Sequence, residues 1–177
     1  MDIDELYEIL PRPLKPLETG SDEDWLRVAE QMGTRLPIDY VYFISSYGTG
    51  RINDFVGVSN PFSGNRNMNL IWQMSAVLSG LRELREHHPA YYPYPLYFEP
   101  GGLLPWGASD DGDYYCWLTK GSPDKWPVVT VPRHADVEYF DMPMCLFLAR
   151  AMKGQITSGA IPTYFRENPN FTSTSAA

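Results

Sequence analysis

The stretch Leu36-Pro37-Ile38-Asp39-Tyr40-Val41-Tyr42-Phe43-Ile44-Ser45-Ser46-Tyr47-Gly48-Thr49-Gly50-Arg51-Ile52-Asn53-Asp54-Phe55 passes from one periodicity to another at two glycines. Pro37 suits the first turn of a helix, where its missing N–H has no intrahelical partner to lose. Tyr40, Val41, Phe43, Ile44 and Tyr47 then recur at helical spacing. Gly48 and Gly50 end that helix. Beyond them Ile52, Phe55, Val56 and Val58 make residues 51–58 strand-like.

On the N-terminal side, residues 2–10 suit a short helix, ended by Pro11, Pro13 and Pro16. Ser21 reads as an N-cap, with Asp22, Glu23 and Asp24 in the first turn, where the helix dipole favours acids. Trp25, Val28, Ala29 and Met32 follow at helical spacing and Gly33 closes the element.

On the C-terminal side, the loop around Asn60-Pro61 leads to the longest expected helix, residues 68–87. Its stripe is Leu70, Ile71, Met74, Val77, Leu78, Leu81 and Leu84. Gly80 costs that helix about 1 kcal/mol relative to alanine, which suggests close packing there. Short aromatic or β-branched runs then cover 96–98, 103–108, 114–118, 128–131 and 137–140, separated by turn residues. Asp111-Gly112 is a hairpin signal. Asp141 is the expected cap of a last helix, which carries Pro143 in its first turn and ends at Gly154. Residues 167–177 look flexible. Helices, then strands, then a helix give an α+β class with an antiparallel sheet. Residues 1–20 read as an acidic, proline-rich lead segment, 21–154 as the domain, and 155–177 as a tail that packs on it or is flexible.

The charge of −8 disfavours nucleic-acid and anionic-membrane partners, which need Lys and Arg. Residues 1–30 hold nine acids against Arg12, Lys15 and Arg27, so −6 of the −8 lies there. That run is a solvated face, or a face that steers a basic partner. Cys116 and Cys145 sit in apolar runs and read as buried thiols. The N-terminus lacks the basic start and apolar run of a signal peptide, and no stretch has the length of a membrane span. The expected location is cytoplasmic.

The sequence carries no recognisable catalytic constellation. Asp110, Asp111 and Asp113 resemble a cation loop, but the twelfth position from Asp110 is Gly121 where a glutamate is needed. His87, His88 and His134 have no metal-ligand spacing. No nucleophile elbow or phosphate loop is present. The expectation is no enzyme activity, no cofactor and no metal. Alternation along 114–118 puts Tyr115 and Trp117 on one face and Tyr114, Cys116 and Leu118 on the other. One set is core, and an exposed set would be an aromatic anchor. The candidate partner-binding residues are therefore Asp110, Asp111, Asp113, Tyr115 and Trp117, with Asp54 and Glu30 next.

The run 36–55 resembles the SUKH superfamily signature, a Leu-Pro and aromatic helix ending in Tyr-Gly-x-Gly, followed by Ile-x-Asp-Phe. Leu103-Leu104-Pro105-Trp106-Gly107, Asp110-x-Gly112-Asp113, Cys116-Trp117-Leu118 and the upstream Trp25 extend the likeness over roughly residues 20–150. The resemblance implies a mainly antiparallel, curved sheet with helices packed against it and no catalytic motif. Many bacterial members look like immunity proteins that neutralise nuclease or deaminase toxins. Others are interaction modules, among them a fungal regulator of cell-wall synthesis. The expected function is stoichiometric binding of a basic toxin domain by a monomer or weak dimer. The alternative is a regulatory or scaffold module for an endogenous protein.

Overall fold

The computed structural model describes residues 3–174. In chain order its elements are α1 (Asp4–Ile9), α2 (Asp22–Met32), α3 (Ile38–Tyr47), β1 (Gly50–Ile52), β2 (Val56–Val58), α4 (Leu70–His87), β3 (Leu103–Ser109), β4 (Tyr114–Leu118), β5 (Val128–Val131), β6 (Glu138–Phe140), α5 (Met144–Met152) and β7 (Phe171–Ser173). Among the described residues the strands form one open sheet in the order β6-β5-β4-β3-β2-β1-β7, every pairing antiparallel. The class is α+β, as the element order predicts. The start of α1 at Asp2 and the tail beyond Thr174 lie outside the described residues.

The helix ends follow local chemistry. Ser21 and Asp24 form a reciprocal capping box, and Gly33 closes α2 at φ 70°. Asn69 caps α4 by accepting from the amides of Ile71 and Trp72. Asp141 does not cap α5. That helix starts at Met144 behind Pro143, with no local side-chain cap. Its Cys145 amide instead donates 2.9 Å to Asp39 Oδ2, from the first turn of α3. Asp39 Oδ1 accepts from the Tyr40 amide at 2.8 Å. One buried carboxylate thus serves two helix N-termini, where a negative charge is favoured.

Residues 51–58 are not one strand. Asn53 and Asp54 both have positive φ, 50° and 49°, and the Phe55 amide donates to Ile52 O at 3.0 Å. The segment is a hairpin, β1–β2, with the twist that left-handed central residues give. Asn and Asp tolerate that conformation better than other side chains. Residues 96–98 form only an isolated bridge at Leu96, not a strand. A Cβ on Gly80 would meet nothing within 4 Å, so close packing does not explain that glycine.

Both faces of the sheet centre are covered. Tyr115, Trp117 and Leu104 face α3 and α5: the Trp117 ring meets Tyr40 at 5.0 Å, and Tyr115 meets Phe147 at 6.4 Å. Leu103 and Val131, on the other face, line a small pocket with Leu81 of α4. Burial pushes the phenols of Tyr40, Tyr47 and Tyr115 and the thiol of Cys116 above their ordinary values.

The terminal segments join the same core. Ile3, Leu6 and Leu10 are buried, α1 packs on α5, and Tyr47 donates to Leu10 O at 2.8 Å. Of the acidic N-terminal run, Asp4, Glu5 and Glu8 lie on this docked helix, and Asp22, Glu23, Asp24 and Glu30 lie on α2. Near the C-terminus, β7 pairs with β1, so residues 171–173 are an ordered strand and not a flexible tail.

Charge placement predicts acid sensitivity. Burial raises Glu18, but hydrogen bonds from the Gly64 amide, Thr49 and Ser63 outweigh it and hold the carboxyl below its ordinary 4.5. Arg35 holds Asp124 low, and Arg85 holds Glu99 low. A lowered folded-state value means the unfolded chain binds protons first as pH falls. The contribution is present above pH 4.5 and lost as pH drops through the folded values. Urea midpoints measured from pH 7 downward should fall below about pH 4.5. A flat profile would contradict these assignments.

Candidate functional site

The β1–β2 and β3–β4 hairpins point their turns to the same end of the sheet, because β2 and β3 pair antiparallel with Val56 opposite Ser109. Asp54 sits on the first turn, and Asp110 and Asp111 on the second; all three are exposed. The Asp110 amide donates to Phe55 O at 3.3 Å. Arg51 ties the turns together: its Nη2 donates to Asp54 O, to Phe55 O and to Asp110 Oδ1, the last at 2.5 Å. That bridge holds Asp110 in place and offsets one of the three charges. Arg133, also exposed, lies beside the second turn, with Nη1 3.5 Å from Asp111 O.

Asp113 belongs to the structure of the turn. It is buried, its Oδ2 accepts from Ser109 Oγ at 2.5 Å, and its Oδ1 accepts from the Arg133 amide at 2.9 Å. Asp113→Ala should therefore lower stability by about 2 kcal/mol, the cost of stranding buried donors. Asp111→Ala should stay within about 0.5 kcal/mol, as exposed substitutions do. Thermal melts of the two variants check the contrast, and an equal loss in both would contradict it.

Tyr115 and Trp117 are fully buried and touch no solvent, which corrects their place on the list of partner-contacting residues. The alternation separates two faces correctly, but helices cover both. The exposed aromatic at this end is Tyr164, in the short 3-10 turn Thr163–Arg166. Its ring packs edge-on against Phe55 at 5.8 Å. Partial burial, then the charges of Asp111 and Asp110, raise its phenol above the ordinary value. The sequence gives Tyr164 no signal beyond its aromatic character, since the adjacent Phe165 is the fully buried one.

Glu30 does not join this group. It is exposed on α2, whose last turn receives the Tyr97 hydroxyl at Met32 O. Tyr97 in turn donates its amide to Leu103 O, at the start of β3, while Asp110 follows its end. Seven residues of strand, about 20 Å, separate the two.

Among the described residues no group of three or more His, Cys, Asp or Glu side chains could hold a metal ion. An open groove runs past Asp110, Asp111, Asp113, Arg133, His134 and Gly159. Cys116 and Cys145 are free thiols in the core. No helix among the described residues is long and apolar enough to cross a membrane. In comparisons with known proteins, the model of the SMI1 / KNR4 family (SUKH-1) matches residues 19–142. No curated protein and no solved structure matches.

Proposed function

Since the chain belongs to the SMI1 / KNR4 family (SUKH-1), we propose that it is a non-catalytic immunity protein, which neutralises a bacterial nuclease or deaminase toxin by stoichiometric binding. The observation that carries the reading is the pair of hairpin turns set side by side. They present Asp54, Asp110 and Asp111 with the exposed ring of Tyr164 on one rigid end of the sheet. Two of these acids have no side-chain ion pair among the described residues and are free to meet lysine or arginine. A toxin that acts on nucleic acid carries such residues in its substrate groove, so the antidote covers the groove by charge and ring contact. The net charge of −8 speeds that encounter. The buried free thiols suit a cytoplasmic setting.

The test is calorimetry with the protein encoded beside this one. Asp54→Lys and Asp111→Lys should each weaken binding about tenfold, or about 1.4 kcal/mol. The melting temperature of Asp111→Lys should stay unchanged, and that of Asp54→Lys should fall slightly, because Asp54 has positive φ. Unaltered affinity in both variants would remove this end of the sheet from the interface. Binding without inhibition of the partner would assign the chain a scaffold role.

A further inference from the structure

We infer that the outer edge of β1 is a strand-acceptor site, held in cis by the chain's own residues 170–174 and able to take the same segment from a second copy. The edge is cut to fit this occupant. A Cβ on Gly50 would fall 2.4 Å from Thr172 O and 2.5 Å from the Phe171 ring, closer than real contacts allow. Gly50 has no positive φ, so its missing side chain answers to the segment and not to a turn. Gly50, Arg51 and Ile52 pair with Ser173, Thr172 and Phe171.

Asn53 holds the start of the segment with both its backbone and its side chain. Its backbone N–H donates to Asn170 O at 2.9 Å, and its Oδ1 accepts from the Asn170 amide at 2.8 Å. The Thr174 amide closes the far end on Thr49 O at 3.0 Å. The Phe171 ring is the anchor, 5.2 Å from Tyr47 and 6.1 Å from Phe43. Main-chain pairing with one anchored side chain is the recognition mode of strand addition.

The occupant lies outside the body that the family match covers. Residues 19–142 contain β1 to β6, and β7 comes after them. The connection is short and strained. Phe165 is fully buried, and Asn53 Nδ2 donates to its carbonyl at 2.8 Å, so the tether starts from a fixed point. Asn168 then has φ 45° directly before Pro169, a combination the proline ring disfavours. Extending this hinge relieves that strain, and strained short hinges invite exchange between copies. Residues 166–169 reach about 14 Å when extended, so the exchanged pair sets two β1 edges face to face about a two-fold axis. Tethering holds the segment in cis at dilute concentration, and exchange appears as the chain concentration approaches the tether's millimolar range.

Two full-length variants test this by complementation. Gly50→Ala spoils the acceptor and keeps the donor; Phe171→Asp spoils the donor and keeps the acceptor. Each alone should sediment as a monomer, and an equimolar mixture should yield a heterodimer. Failure of the mixture to associate, with both variants folded by circular dichroism, would overturn the inference. The unmodified protein gives a second reading that needs no variant. Between about 10 µM and about 1 mM its dimer fraction should rise, and excess synthetic peptide of residues 167–174 should abolish the rise. A monomer at every concentration, or a dimer indifferent to the peptide, would overturn it equally.

Discussion

Asp39→Ala should destabilise the fold by about 3 kcal/mol, although Asp39 lies far from the proposed interface. The residue is 5% exposed. Its two oxygens accept from the Tyr40 and Cys145 amides, 2.8 and 2.9 Å away, and the Cys145 thiol donates to its backbone oxygen at 3.4 Å. Removing the carboxylate strands two buried N–H donors at once. It also takes a negative charge away from two helix N-termini. No local side chain substitutes at α5, which begins behind Pro143 without a cap of its own. Asp39→Asn should recover only part of the loss, because an amide offers one acceptor oxygen in place of two. Urea denaturation of the three proteins measures this. A loss below about 1 kcal/mol for alanine would mean that the contact does not join α3 to α5 energetically.

Trp117→Ala should cost about 4 kcal/mol through the cavity it leaves. The side chain is completely buried, with ring centroids 5.0 Å from Tyr40 and 6.2 Å from both Trp106 and Trp126. Its indole N–H has no hydrogen-bond partner among the described residues, so the loss is one of packing. Trp117→Phe keeps most of the ring contact and removes the unpaired donor, and should cost less than half as much. A Trp117→Ala protein with normal stability and lost partner binding would return this residue to the interface.

These two positions show where the sequence is legible. Caps written in adjacent residues are readable: Ser21 with Asp24, and Gly33 at φ 70°. The cap that joins distant elements is not, because Asp39 and Cys145 lie 106 residues apart. Asp141 has the right residue type in the right place and does not cap, since the helix begins three residues later. Strand alternation sorts Tyr115 and Trp117 to one face, yet it carries no information on whether a helix covers that face. The Asn53-Asp54 turn hides under the apolar run from Ile52 to Val58, because neither central residue is glycine. The three-residue β7 is masked by the polar tail around it, and its partner β1 lies more than a hundred residues upstream.

Of the candidate site, the two turns and their acids are readable as turn chemistry. Their meeting is not, since it depends on Arg51 reaching Asp110 across 59 residues. Tyr164 reaches the same end only because Phe165 anchors the segment that carries it.

The proposed function is inhibition by stoichiometric binding. The direct measurement is the activity of the neighbouring gene's product, titrated with this protein. Activity should fall linearly and vanish at equimolar protein, and the double variant Asp54→Lys with Asp111→Lys should leave measurable activity at the same ratio. Full activity in the presence of a molar excess of the wild-type chain would contradict it.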